Sequence, residues 1–141
     1  MERRQFVLAA LSPANGGQHT PVQVQKLFFL LDREAAEMTG GPYFAFVPYD
    51  YGPFDSDVYT ELRELSYEGK VEGVNNGHWT SYRLTALGQQ EADMALAQLS
   101  PDAQDYIRRV SEFIRGLSFS ELVRAIYRAY PDMKVNSVFQ G

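Results

Sequence analysis

Tyr49-Asp50-Tyr51-Gly52-Pro53-Phe54-Asp55-Ser56-Asp57-Val58-Tyr59-Thr60-Glu61-Leu62-Arg63-Glu64-Leu65 is the stretch on which the rest of the chain is organised. Gly52 and Pro53 interrupt whatever precedes them, and Asp55 or Ser56 is placed to cap free amide donors. Phe54, Val58, Leu62 and Leu65 then recur at helical spacing, which predicts a helix from Phe54 to Glu68. Gly69 closes it. Lys70 to Val74 reads as a strand, Asn75-Asn76-Gly77 as a tight turn, and His78 to Leu84 as the returning strand. Helix, strand, turn, strand and Tyr82-Arg83-Leu84-Thr85 follow the order of a recognition helix and its wing. The charge argues against DNA: Asp55, Asp57, Glu61, Glu64 and Glu68 face only Arg63, roughly four net negative charges, whereas groove binding depends on neutralising phosphates.

Working outward, Gln5 to Leu11 predicts a short amphipathic helix that ends at Ser12-Pro13 and a Gly/Asn turn. Thr20-Pro21 caps a long second helix, with Val24, Leu27, Phe28, Leu31 and Ala35 as its apolar stripe, until Thr39-Gly40-Gly41-Pro42 stops it. Tyr43 to Tyr51 reads as an extended segment or short edge strand limited by Pro48. After the wing, Thr85 caps a helix to Gln98, and Ser100-Pro101-Asp102 starts another. Ser118-Phe119-Ser120-Glu121 is a capping box for the last helix, which carries Leu122, Val123, Ile126, Tyr127 and Tyr130 to Pro131. The expected fold is mainly α with a small β wing, in a single domain over 1–141. Residues 1–99 make a winged-helix-like part, 100–131 an antiparallel helical hairpin, and 132–141 a tail whose Val135, Val138 and Phe139 are able to dock on the body.

The chain has 141 residues with 45% hydrophobic and 22% charged, enough for one domain with a core, and a formal net charge of -5. Bulk electrostatics therefore disfavour a polyanion partner. No cysteine is present, so disulfides, thiolate metal sites and cysteine nucleophiles are all excluded. The apolar run after Met1-Glu2-Arg3-Arg4 is too short for a leader, and nothing approaches the roughly eighteen apolar residues of a membrane span, so a cytoplasmic protein with no membrane partner is expected. His19 and His78 both lie beside turns and read as solvent-exposed; two distant histidines are a poor zinc site or general-base pair. Asp50, Asp55 and Asp57 are better explained as caps and dipole partners than as a cation cluster. No phosphate loop or hydrolase motif appears, so an enzyme is not expected and no cofactor is implied.

Taken in order, Leu27-Phe28-Phe29-Leu30, then Tyr51-Gly52-Pro53 with Val58-Tyr59 and Leu62, and finally Ile126-Tyr127-Tyr130-Pro131 with Val135-Asn136-Ser137 resemble the Panacea family, which includes the SocA-like antitoxins. The resemblance spans about residues 22 to 139. It implies a compact, mainly helical domain that neutralises a toxin, or hands it over, by direct protein contact, without chemistry of its own. Relatives occur near phage and mobile-element genes. The chain departs from the family pattern in its fuller wing and in a loose match at Gln25-Lys26.

Two readings result. In the first the chain is an antitoxin-like protein-interaction module that meets its partner, a toxin, through Tyr49, Asp50, Tyr51, Phe54, Asp57, Glu61, Glu64 and Trp79. Reversing Glu61 and Glu64 to Lys is then expected to weaken binding and leave the fold intact. In the second it is a winged-helix transcription regulator, dimeric through its last two helices, that touches DNA through Arg3, Arg4, Lys26 and Arg83. A pocket for a small ligand between the aromatic turn and the C-terminal helices is a third, weaker reading.

Overall fold

The first helix, α1 (Arg3–Leu11), is the centre of the molecule, in a computed structural model that describes residues 1–139. Residues 140 and 141, the end of the expected tail, lie outside the described residues. A short amphipathic helix is the expectation for α1, yet Phe6 to Leu11 are all buried. Six consecutive apolar residues cover every side of a helix, so it is enclosed on all sides and only its first turn, with Arg3 and Arg4, reaches the surface. A short 3-10 turn, Ser12–Ala14, follows, and Asn15 then takes a left-handed conformation at φ +48°.

The second helix, α2 (Pro21–Thr39), begins with the expected Thr20 cap, completed as a capping box by Gln23, and buries the predicted stripe. It ends at Gly40, whose φ of +85° is the left-handed cap that glycine favours. The decisive stretch then differs from its reading. β1 (Val47–Tyr49) and β2 (Gly52–Phe54) form a small antiparallel hairpin around Asp50-Tyr51, so Gly52-Pro53-Phe54 is a strand and not a helix start. Pro48 stands opposite Pro53, at a pairing position where an antiparallel ladder exchanges no hydrogen bonds, so neither missing N–H is felt. The helix that follows, α3 (Asp57–Tyr67), starts three residues later than predicted. Asp55 is held by the hairpin's neighbour, accepting from Ala45 N at 2.7 Å and Asp57 N at 2.9 Å, and Ser56 gives no side-chain cap.

β3 (Val71–Asn75) and β4 (Thr80–Leu84) pair antiparallel as expected, and His19 adds a bridge along β4 by exchanging two 2.8 Å hydrogen bonds with Tyr82. Thr85 caps α4 (Ala86–Ala97), whose Gly88 is required by close approach, since a Cβ there would stand 1.7 Å from Lys70 O. α5 (Pro101–Arg115) and α6 (Phe119–Ala129) carry the predicted caps. They do not form the expected hairpin: α5 packs along α2 and α1, whereas α6 packs on β2, α2 and the 3-10 turn Pro131–Lys134, with marginal contact between the two. α5 finds its main partner in α2, whereas α6 spreads over β2, α2 and the Pro131–Lys134 turn. The result is a mainly helical fold of six α-helices with two two-stranded antiparallel sheets among the described residues. Of the expected docking residues, Phe139 meets the rings of Phe119 at 6.0 Å and Tyr127 at 6.4 Å, whereas Val135 and Val138 stay exposed; polar contacts add to it, with Val138 N donating to Asp50 O at 2.9 Å and Asn136 Nδ2 to Pro48 O at 3.3 Å.

Candidate partner-binding site

The acidic helix and the N-terminal arginines, read from the sequence as belonging to two different functions, face one another. Arg3 Nε lies 2.8 Å from Glu61 Oε1 and Arg3 Nη1 lies 3.3 Å from Asp57 Oδ2. Arg4 pairs with Glu64 and Glu68, and its Nε stands 3.8 Å from Glu61 Oε2. Lys70 adds a second cation to Glu68 at 3.0 Å. Glu61 is buried at 8% exposure beneath these contacts. α3 therefore presents no open anionic front, a correction to the sequence reading, because its carboxylates are neutralised from within the chain. The expected DNA contacts fare alike: Arg3 and Arg4 are engaged with α3, Arg83 pairs with Glu72 across the β3–β4 hairpin, and Lys26 is buried.

The aromatic turn does reach the surface. Tyr49 is 51% exposed, Tyr51 44%, Trp79 in the β3–β4 loop 47% and Phe119 at the start of α6 44%. Tyr49 stacks on Phe54 with ring centroids 4.9 Å apart, and Tyr51 meets Phe119 edge-on at 5.1 Å. Between Trp79 and Phe119 lies a groove of about 480 Å³, lined by Pro21, Val22, Leu117 and Leu122 and mainly apolar, with Thr20, Gln23 and Ser118 as its polar lining. Phe119 was missed in the sequence reading; its signal is an aromatic just after the Ser118 cap and off the buried stripe Leu122, Val123 and Ile126.

A second cavity of about 230 Å³ opens beside the groove, sharing Pro21 and Val22, under Tyr49, Asp50, Tyr51 and Gly52. Lys26 lines it at 3% exposure, and its Nζ donates to Pro53 O at 3.3 Å. Burial pulls this amine down to about 7. The hydroxyl of Tyr127, also buried beside Gly52, has no hydrogen-bond partner among the described residues. His78 is exposed as expected. His19 is not: its bridge to Tyr82 carries it inside, at 1% exposure with Nε2 unpartnered, and burial, with Arg115 nearby, lowers it to about 4. Among the described residues no group of three His, Cys, Asp or Glu side chains is placed to hold a metal, and no helix is long and apolar enough to cross a membrane.

The fold is built on a central helix and carries an apolar groove framed by the exposed rings of Trp79 and Phe119. A family model described as "Antitoxin SocA-like, Panacea domain" matches residues 24–131, and the chain belongs to that family. Membership places it in the toxin–antitoxin class in general. No curated protein and no solved structure gives a match to the chain.

Proposed function

We propose that this chain is a non-enzymatic antitoxin-type module that neutralises or hands over a toxin by direct contact, seating it on the aromatic face around the apolar groove. The observation that carries the reading is the exposure of Trp79 and Phe119 on the groove and of Tyr49 and Tyr51 on the adjoining cavity, with Tyr51 meeting Phe119 where the two lie side by side. Exposed apolar surface gathered in one place marks an interaction site, and aromatic rings at the centre of a patch are typical anchors. Phe54 supports the turn by stacking on Tyr49, and Asp50, in the turn itself, lines the adjoining cavity. Asp57, Glu61 and Glu64 act in this reading by holding α3 on α1, and meet the partner only at the edge of its footprint.

The test is capture of toxins of the kind that antitoxins of this family neutralise, each verified as toxic when expressed alone, by the native protein and by a Tyr51→Ala, Trp79→Ala, Phe119→Ala triple variant. Two hot-spot losses of about 2 kcal/mol each predict binding weaker by about 1,000-fold or more with far-ultraviolet spectra unchanged. Capture by the folded triple variant at native affinity would refute the reading. The β3–β4 hairpin after α3 keeps the winged-helix comparison as our reading of the fold's layout, without the DNA contacts that usually go with it.

A further inference from the structure

Gln25 clamps the aromatic turn, donating from Nε2 to Asp55 O at 3.0 Å and accepting from Asp55 N at 2.9 Å. The next residue, Lys26, is thereby held under the turn with its stem fixed in α2. An ammonium has three donors, and one of them is used, on Pro53 O. Lys26 forms no salt bridge within 4.0 Å among the described residues, although Asp50 lines the same cavity. A buried ammonium without a counter-ion is costly, and Met or Leu would fill the same volume without that cost. The space above the amine is kept open by Gly52. Its φ of +107° favours glycine, and a Cβ there would lie 3.5 Å from Lys26 Cε and 3.6 Å from Nζ. The cavity of about 230 Å³ holds several times the roughly 30 Å³ of one water.

We propose that this cavity is a socket for an acidic side chain, Asp or Glu, of the bound polypeptide, with Lys26 Nζ as its counter-ion. The inference rests on the partner-binding reading above and names the chemistry of one contact within it. The groove and the cavity share Pro21 and Val22, so a segment lying in the groove carries its side chains past the opening. Tyr49, Tyr51, Phe54 and Tyr59 supply apolar walls for the methylenes of such a side chain and exclude water from the charge pair. The other ionisable groups facing the socket are Asp50 and the hydroxyls of Tyr49, Tyr51 and Tyr59, with Tyr127 behind Gly52. The carboxylate of Asp50 at the rim opposes a multiply charged anion more than a single carboxylate.

The experiment is an NMR titration of the full chain, followed at the Tyr51 and Gly52 amides. The probes are N-acetyl-glutamate N-methylamide, its neutral glutamine isostere, N-acetylglycine as a chain-end carboxylate, and inorganic phosphate. The glutamate probe is expected to bind at least about ten-fold more tightly than each of the others, and Lys26→Met, folded and no less heat-stable, to bind glutamate and glutamine probes alike. Equal binding of glutamate and glutamine probes by the native chain, or no shift at either amide, would overturn the proposal. So would N-acetylglycine or phosphate binding as tightly as glutamate. Failure of the broader reading shows instead as a native chain that captures no toxin, an outcome independent of these small probes.

Discussion

His19 shows how far a single residue's environment departs from what its neighbours in sequence suggest. Beside Gly16-Gly17 it reads as a turn residue in water, but the backbone exchange with Tyr82 draws it into the interior without a partner for Nε2. Its folded value, about 4, lies below the ordinary 6.5, so the folded state binds fewer protons than the unfolded chain. The stability associated with neutral His19 is complete above pH 6.5 and is lost as pH falls from there toward 4, by roughly 3 kcal/mol in all. His19→Leu should therefore flatten the acid limb of urea-unfolding stability between pH 6.5 and 4 relative to the native chain. An identical acid limb in the two proteins would assign the loss to other groups. Lys26 obeys the same sign, its cost growing as pH falls from 10.5 to about 7 and constant below that.

At the scale of elements, the helix starts were legible because a cap is local. Thr20 with Gln23, Thr85, Ser100, and Ser118 with Glu121 all hold amides within three residues of themselves, so their spacing is visible in the chain. The start of α3 was not legible, because pairing of Gly52–Phe54 with Val47–Tyr49 removed Phe54 from the helix and occupied Asp55 with Ala45. The helical hairpin failed for a similar reason: a short linker sets proximity, but α5 packs on α2 and α6 on β2, α2 and the Pro131–Lys134 turn, partners distant in sequence or beyond the linker. α3 also carries a prediction opposite to the one its charge invites. A Glu61→Lys, Glu64→Lys change would bury an ammonium beside Arg3 and Arg4 with only Asp57 and Glu68 left as counter-charges, a loss of about 3 kcal/mol or more. For a chain of this size the Glu61→Lys, Glu64→Lys variant should melt about 10 °C lower than the native protein in a calorimetric scan. A native-like melting temperature would mean that the α1–α3 pairs are not holding the helix.

Over the whole molecule, ion pairs occupy most cations of the first 99 residues and leave the acidic excess of that part in place. Residues 1–99 hold seven cations and thirteen acids. Of those cations Arg3, Arg4, Lys70 and Arg83 are tied to carboxylates of the same part, and Arg33 to Asp132. A duplex needs a run of free Lys and Arg along one face to release its counterions. The four residues read as DNA contacts provide none, so we expect no retardation of duplex DNA even at about 20 mM salt, where weak ionic binding is strongest. A shifted band that vanishes as salt rises would restore the regulator reading.

Local pattern by itself determined the number and approximate bounds of the helices, the caps of four of them, the β3–β4 hairpin, and a Panacea resemblance that the family match later bore out. Tertiary structure alone decided which charges meet, that α1 is the enclosed centre, and that Lys26 and His19 are buried. The physical reason is range. Capping and periodicity act within a turn or two of the chain, whereas the ion pairs joining Arg3 and Arg4 to α3 bridge residues 54 to 64 positions apart, and burial is a property of everything packed around a side chain.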